Sequence, residues 1–282
     1  MWDYGNFLFI PWIHTIIIIL CILQWTQEII WQITRGVTPE VARKVHLGER
    51  SPFIEFGSMY PTMASDNATK EELDMLMAAP PFMTDPLTLI KGLDDPRVIK
   101  SHLPVTMLNP DVFKISKVVY VCRNPKDCCV SYFHHCSNFA YGQLDDFDKF
   151  TSFFKRGSLG YGDYWHHLKT AYTMKNSPNV KIVWYEDMKK DLPKVIRDLC
   201  DFLGYKLSAE KISALAEHVS IDNMRQISVE MSPPDMKEMA EKHFRKGMVG
   251  DWKNYFEGEK LEEWNKWIEE NMRDTDIKMS FE

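Results

Sequence analysis

Residues 117–127, KVVYVCRNPKD, restrict the fold more than any other stretch of the chain. KVVYVC is a β-branched run of the kind that fills a buried strand. It ends at Arg123-Asn124-Pro125, where Asn124 can cap and Pro125 can open a helix reaching about Phe139. A strand, a turn and a helix in that order make half of a parallel crossover. The pattern recurs. Residues 97–100 form a short strand centred on Val98 and Ile99 that enters the turn Ser101-His102-Leu103-Pro104. Residues 180–185 (VKIVWY) form another, followed by Leu192, Val195, Ile196, Leu199, Phe202 and Leu203 at helical spacing up to Gly204. Strands separated by helices predict an α/β fold with a parallel β-sheet flanked by helices. Across 282 residues no Pro, Gly or Ser cluster is long enough to link two bodies and no repeat is visible, so a single domain is expected.

Composition narrows the function. Hydrophobic residues at 45% and charged residues at 26% supply a core and exclude a disordered chain. A net charge of -6 gives no global positive field, so no nucleic-acid partner is expected and any polyanion must meet local bases. The six cysteines contain no C-x-x-C pair and fit neither zinc spacing nor a disulfide framework, which favours a reducing, cytoplasmic setting. Phe147, Phe150, Phe153 and Phe154 form a helical stripe, as do Leu261, Trp264 and Ile268, and both read as core.

The amino terminus departs from this pattern. Residues 7–24, FLFIPWIHTIIIILCILQ, carry no Asp, Glu, Lys or Arg, and their length approaches the roughly 20 residues that cross a bilayer. A buried strand of a parallel sheet gives the same continuous apolar run. Pro11 and His14 interrupt the segment, no base precedes it and the next is Arg35, so the flanks favour the strand over a membrane span.

Three places can carry chemistry. Arg123 stands where a strand ends and a helix begins, so its guanidinium and the first free N–H groups of the helix converge on one point, a geometry suited to phosphate. Ser131, two turns along the same helix, can add a hydroxyl. Arg245-Lys246-Gly247-Met248-Val249-Gly250 sets two cations beside glycines that let backbone N–H groups curl toward an anion. His102 sits in a turn held open by Pro104 and can act as a base, with Lys100 two residues earlier stabilising negative charge. Taken singly, each is equally a solvated charge or a structural histidine.

Together they are more specific. Residues 25–31 (WTQEIIW), 99–104 (IKSHLP), 119–127 (VYVCRNPKD), 184–188 (WYEDM) and 244–253 (FRKGMVGDWK) occur in the order and spacing of the cytosolic sulfotransferase family, and Asp274-Thr275-Asp276-Ile277 is similar to insect members. The resemblance runs from about residue 25 to the end. It implies the single-domain sulfotransferase fold, which resembles P-loop kinases. The implied activity is transfer of a sulfuryl group from 3'-phosphoadenosine 5'-phosphosulfate (PAPS) to a hydroxyl or amine of a small apolar acceptor, leaving 3',5'-ADP and using no metal. By the same resemblance His102 is the general base and Lys100 supports the transition state. Arg123, Ser131, Arg245, Lys246 and Gly247 hold the 3'-phosphate, and Trp25 and Tyr185 contact the adenine. Residues 25–275 are expected to form the sulfotransferase domain, with 1–24 as a hydrophobic leader and 276–282 as a tail.

One part of the family pattern is missing. Before the Trp25 block the family has a strand and a Tyr-Pro-Lys-Ser/Thr-Gly-Thr-Thr loop that wraps the 5'-phosphosulfate. Here the same place reads IIIILCILQ, with no glycine between Gly5 and Gly36 and no lysine before Lys44. The expectation is therefore an incomplete first strand and loop, and impaired activity. The abrupt join at Trp25 suits a truncated isoform or an intron read as coding sequence, which transcript sequencing would separate. A non-catalytic nucleotide- or acceptor-binding protein is the alternative reading. A membrane-anchored Golgi-type enzyme fits less well, because no stem precedes Trp25. The family's dimer motif survives in part as Lys253, Phe256 and Glu262. Phe53, Phe56, Met59, Tyr60, Phe82, Met83, Tyr132, Phe133 and Phe139 resemble segments that wall the acceptor pocket in relatives, and read equally as core.

Overall fold

A computed structural model describes residues 15–19, 23–59, 69–70, 79–138, 146–232, 234, 237–244 and 246–282. Four strands, β1 (Thr15–Ile19), β2 (Arg97–Ser101), β3 (Lys117–Cys122) and β4 (Val180–Trp184), pair entirely in parallel in the order β2-β1-β3-β4. The helices used below are α1 (Leu23–Thr34), α2 (Pro125–Asn138), α3 (Phe147–Lys155), α4 (Tyr164–Tyr172), α5 (Tyr185–Lys190), α6 (Leu192–Leu203), α7 (Ala209–His218), α8 (Ile221–Met231) and α9 (Gly258–Met272). The expected α/β alternation is present.

Part of the expected leader lies in the sheet. Residues 15–19 supply a central strand, with Ile17 opposite Ile99 on one side and Val118 on the other. A strand buried in the middle of a parallel sheet asks only for apolar, β-branched residues, and TIIII meets that demand. The strand expected to be incomplete is thus five residues long and paired along both edges. What differs from the family pattern is the connection after it, residues 20–22, which lies outside the described residues. No helix among the described residues is long and apolar enough to cross a membrane.

Side chains alternate across the sheet and build a core on each face. On β3, Val118, Tyr120 and Cys122 join the side packed by α2, α3, α4 and α9, including Phe150, Trp165, Trp264 and Ile268. Val119 and Val121 join the other side, with Ile29, Ile30 and Ile33 of α1 and Ile196 and Leu199 of α6. The two predicted stripes are core: Phe150 and Phe154 are buried, and Phe154 stacks on Trp264 at 5.9 Å. Helix α6 ends at Gly204, whose φ of 81° is the left-handed conformation such a cap requires. The tail also packs: Ile277 is buried and Trp252 Nε1 donates to the Phe281 carbonyl at 3.3 Å.

Because all strands run the same way, their carboxyl ends share one edge. That edge carries Lys100 near the end of β2 and His102 just after it, Arg123 after β3 and Tyr185 after β4, at the place where open parallel sheets bind ligands.

Candidate functional site

At the end of β2 the backbone is held by a short parallel bridge. Lys100 N donates to the Pro52 carbonyl at 2.9 Å and Ile54 N donates to the Lys100 carbonyl at 3.0 Å. This pairing brings Glu55 to the turn, where its carboxylate accepts from the Ser101 hydroxyl and, at 3.4 Å, from His102 N–H. Burial pushes the Glu55 carboxyl up to about 7, against the bonds from Ser101 and His102 and the field of Lys100. Burial likewise pulls the Lys100 ammonium down to about 8, with Glu55 opposing. The Lys100 ammonium also lies 4.8 Å from the centre of the Phe53 ring.

The His102 ring stacks on Tyr161 at 4.4 Å and meets the edge of Phe53 at 5.0 Å. Burial, reinforced by the neighbouring Lys100, His135 and His167, holds its pKa well below 6.5. It is therefore a neutral imidazole through the physiological range, able to accept a proton. Its peptide is fixed from the other side by His167 of α4. His167 Nε2 lies 3.1 Å from the His102 carbonyl and Nδ1 lies 2.8 Å from the Tyr120 hydroxyl. A carbonyl only accepts, so the proton is on Nε2, and the Tyr120 hydroxyl donates to Nδ1. Burial lowers the His167 pKa to about 4, which keeps this relay uncharged.

The second centre lies at the end of β3. The Arg123 side chain is buried, with its guanidinium 4.4 Å from the centre of the Tyr185 ring. Nη2 donates to the Met248 carbonyl at 2.9 Å, while the buried Nε has no partner among the described residues. Trp25 meets the edge of Tyr185 at 5.6 Å, and its buried indole N–H is likewise without a partner among the described residues. Buried donors without acceptors are costly, and an anion or a purine acceptor would relieve them. Tyr185 is placed by the strand-to-helix turn at β4–α5, and Glu186 beside it accepts from Asn124 N at 2.9 Å and Asn124 Nδ2 at 2.8 Å.

The structure thus gathers Trp25, Arg123 and Tyr185 at one point and Lys100 and His102 at another on the same sheet edge. Ser131 is half-buried on α2 and makes no hydrogen bond among the described residues. Gly247 has a φ of 58°, and a Cβ there would come within 3.0 Å of Ile221. Lys246 is exposed and donates to Asp251 at 2.7 Å. Arg245 lies outside the described residues, as do Tyr60 and Phe139. Of the suggested acceptor walls, Phe53 touches Phe56 and His102, and Tyr132 stacks on Tyr161, whereas Phe82 stacks on His46. Phe256 of the dimer motif is in the core against Trp264, while Lys253 and Glu262 are exposed. Glu55, His167, Asp127 and Glu186 were not singled out from the sequence. The available signal was a polar residue inside a quoted block for Asp127 and Glu186, a carboxylate between Phe53 and Phe56 for Glu55, and a pair of adjacent histidines for His167. Among the described residues no cluster of three or more His, Cys, Asp or Glu side chains is arranged to hold a metal ion.

Residues 23–276 match the family described as Sulfotransferase domain. Luciferin sulfotransferase of Photinus pyralis is 33% identical over 204 residues, which is 71% of this chain and 53% of that protein. Human sulfotransferase 1E1 is 29% identical over 267 residues, covering 92% of this chain and 82% of that protein. Among solved structures, retinol dehydratase in complex with androsterone and the inactive cofactor PAP superposes with a TM-score of 0.79 at 27% identity, over 94% of this chain and 82% of that one. With this match, and with the fold and the sheet-edge site in place, the chain belongs to the sulfotransferase family, α/β transferases that move a sulfuryl group from PAPS to small acceptors.

Proposed function

We propose that this chain grips the 3'-phosphoadenosine half of PAPS and presents a small apolar hydroxyl or amine to His102. The observation that carries the reading is the buried Arg123 guanidinium, pressed on Tyr185 with its Nε lacking an acceptor among the described residues. Arg123, Ser131, Arg245, Lys246 and Gly247 would hold the 3'-phosphate, and Trp25 and Tyr185 the adenine. Bound there, the nucleotide supplies the activated sulfuryl group. His102 takes the acceptor proton on its free ring nitrogen, and Lys100 balances negative charge gathering on the transferring group. The acceptor would be a flat or elongated apolar molecule, of the kind represented by the luciferin in one relative's name and by the androsterone and retinol bound to retinol dehydratase. Residues 25–275 form the proposed transferase body with 276–282 as its tail, in a cytoplasmic chain. A homodimer through the old motif would rest on the exposed Lys253 and Glu262, with Phe256 turned inward.

The 5' side is a different matter. Between β1 and α1 stand Leu20, Cys21 and Ile22, which offer neither the lysine nor the glycine of the family's loop. Loss of one transition-state donor commonly costs on the order of 100-fold to 1,000-fold in rate, so turnover by this chain is expected to be slow even where the nucleotide binds. This favours, as a second reading, a nucleotide- or acceptor-binding member with little catalysis.

Titration calorimetry with 3',5'-ADP tests binding, and labelled PAPS with a panel of phenols and alcohols tests turnover. A second chain, with residues 18–24 replaced by Tyr-Pro-Lys-Ser-Gly-Thr-Thr, should bind equally and turn over at least about 100-fold faster. Full-rate sulfation by the natural sequence would refute the missing-loop argument. Absence of 3',5'-ADP binding would refute the nucleotide reading.

A further inference from the structure

The two cationic clusters of the phosphate site come from positions more than a hundred residues apart, and Arg123 alone does not explain what sets their spacing. Asp127 does. It lies in the first turn of α2 with its side chain fully buried. Its Oδ2 accepts from Gly250 N–H at 2.8 Å and from Asn124 Nδ2 at 2.9 Å, and its Oδ1 accepts from Trp252 N–H at 3.0 Å. Arg123 completes the attachment by donating to the Met248 carbonyl at 2.9 Å. Residues 248, 250 and 252 of the carboxy-terminal loop are therefore all tied to the turn that follows β3. Gly247, just before the first tie, and Gly250, itself a tie, adopt φ of 58° and 83°, so the loop bends through a conformation that glycine takes most easily.

Resting on the nucleotide reading above, we propose that Asp127 is a positioning residue for 3'-phosphate recognition: its carboxylate docks the loop carrying Lys246 and Gly247 against Arg123, and so sets the width of the phosphate site. Asp127 touches no nucleotide in this scheme. It acts by giving two backbone N–H groups of the loop a charged, buried acceptor, which is worth more than a neutral one.

Asp127→Asn tests this, because a carboxamide has only one accepting end. Whichever way it turns, its NH2 faces a donor from Gly250 and Asn124 or from Trp252. The readout is the ratio of affinities for 3',5'-ADP and 5'-AMP, which differ only by the 3'-phosphate. Hydrogen exchange of the Gly250 and Trp252 amides is followed alongside. In the variant, 3',5'-ADP affinity should fall on the order of 10-fold to 100-fold, 5'-AMP affinity should stay within about twofold, and the two amides should exchange faster than the core strands. Asp127→Glu, which keeps the charge but displaces it by one methylene, is read the same way if the asparagine variant does not fold. An unchanged ratio overturns the proposal. A parallel loss of both nucleotides also overturns it, since that is what a merely structural role would give. A natural chain that binds both nucleotides equally overturns the nucleotide reading itself, and the proposal with it.

Discussion

Replacing His167 by leucine removes an imidazole that holds two hydrogen bonds, one to the buried Tyr120 hydroxyl and one to the half-buried His102 carbonyl. Tyr120 is fully buried and His167 is 1% exposed, so the Tyr120 hydroxyl cannot turn to water, whereas His102 is half-buried and its carbonyl loses less. An unsatisfied buried polar group costs about 1–3 kcal/mol. The Tyr120 hydroxyl is such a group, so His167→Leu should cost about 1–3 kcal/mol, with a smaller addition from the half-buried carbonyl. Tyr120→Phe alone strands only Nδ1, at about 1–2 kcal/mol, and the double variant strands only the His102 carbonyl. The double variant should therefore be less unstable than the sum of the singles by about 1–2 kcal/mol, measured by urea unfolding at pH 7.5. The cost of His167→Leu should also depend on pH. Burial holds His167 near 4 in the folded chain, against an ordinary value of 6.5, so the unfolded chain takes up a proton between those values and the folded chain does not. That uptake withdraws stability from the natural protein as pH falls from 6.5 to 4, by up to about 3 kcal/mol, and cannot do so in the leucine variant. The gap between the two proteins must therefore narrow on acidification. A constant gap, or singles that add fully, would refute the picture of a neutral imidazole bridging the Tyr120 hydroxyl and the His102 carbonyl.

The pair at the end of β2 gives a second test. Lys100 loses its charge near pH 8, and Glu55 opposes that loss, so Glu55→Gln should move the Lys100 titration to lower pH, read by NMR of the lysine side chain. An upward movement would contradict the arrangement. A third prediction concerns the buried ion pair between α1 and the segment before β2, where Arg50 Nη2 meets Glu28 Oε2 at 2.7 Å and His218 and Gln32 contact Glu28 Oε1 at 2.9 and 2.7 Å. Arg50→Met strands a buried carboxylate and should cost about 3–5 kcal/mol at neutral pH. Burial raises the Glu28 carboxyl, but the bonds from His218, Arg50 and Gln32 outweigh it and hold the group below 4.5. Its stabilising contribution is therefore present above pH 4.5 and is lost as pH falls through the folded value. The variant should accordingly differ less from the natural chain in strong acid, by thermal unfolding across pH 3 to 7.

Strands β2, β3 and β4 and the placement of Arg123 were legible because they rest on local rules: a β-branched run, then Asn124 and Pro125 where a helix must start. His102 was legible only through its neighbours in a family-wide pattern, since nine histidines compete for the role. Glu55, His167 and Asp127 were not legible, for a definite reason. Their bonds join residues 47, 65 and 125 positions apart, and only the folded sheet edge brings such partners together. Arg123 can be placed from a turn, whereas the acceptor that docks its partner loop requires knowing where residue 250 comes to rest.

Residues 15–19 separate the demands of the fold from those of the chemistry. Hydrogen bonding in a parallel sheet is made by backbone, and a central position asks only that side chains be apolar and fit the neighbouring rows. A run of isoleucines is of the type such a position asks for, and the β1 backbone pairs with β2 over Thr15–Ile19 and with β3 over Ile16–Ile19. A phosphate-wrapping loop asks for something a hydrophobic run cannot supply, namely a cation and backbone N–H groups freed by small residues. The same substitution is therefore nearly neutral for architecture and severe for the 5' side of the donor. The 3' side, built from β3, β4 and the carboxy-terminal loop, does not pass through β1 at all. It follows that in this chain nucleotide binding and turnover should come apart, and restoring the family's seven residues before Trp25, which changes the last two positions of β1, should rejoin them.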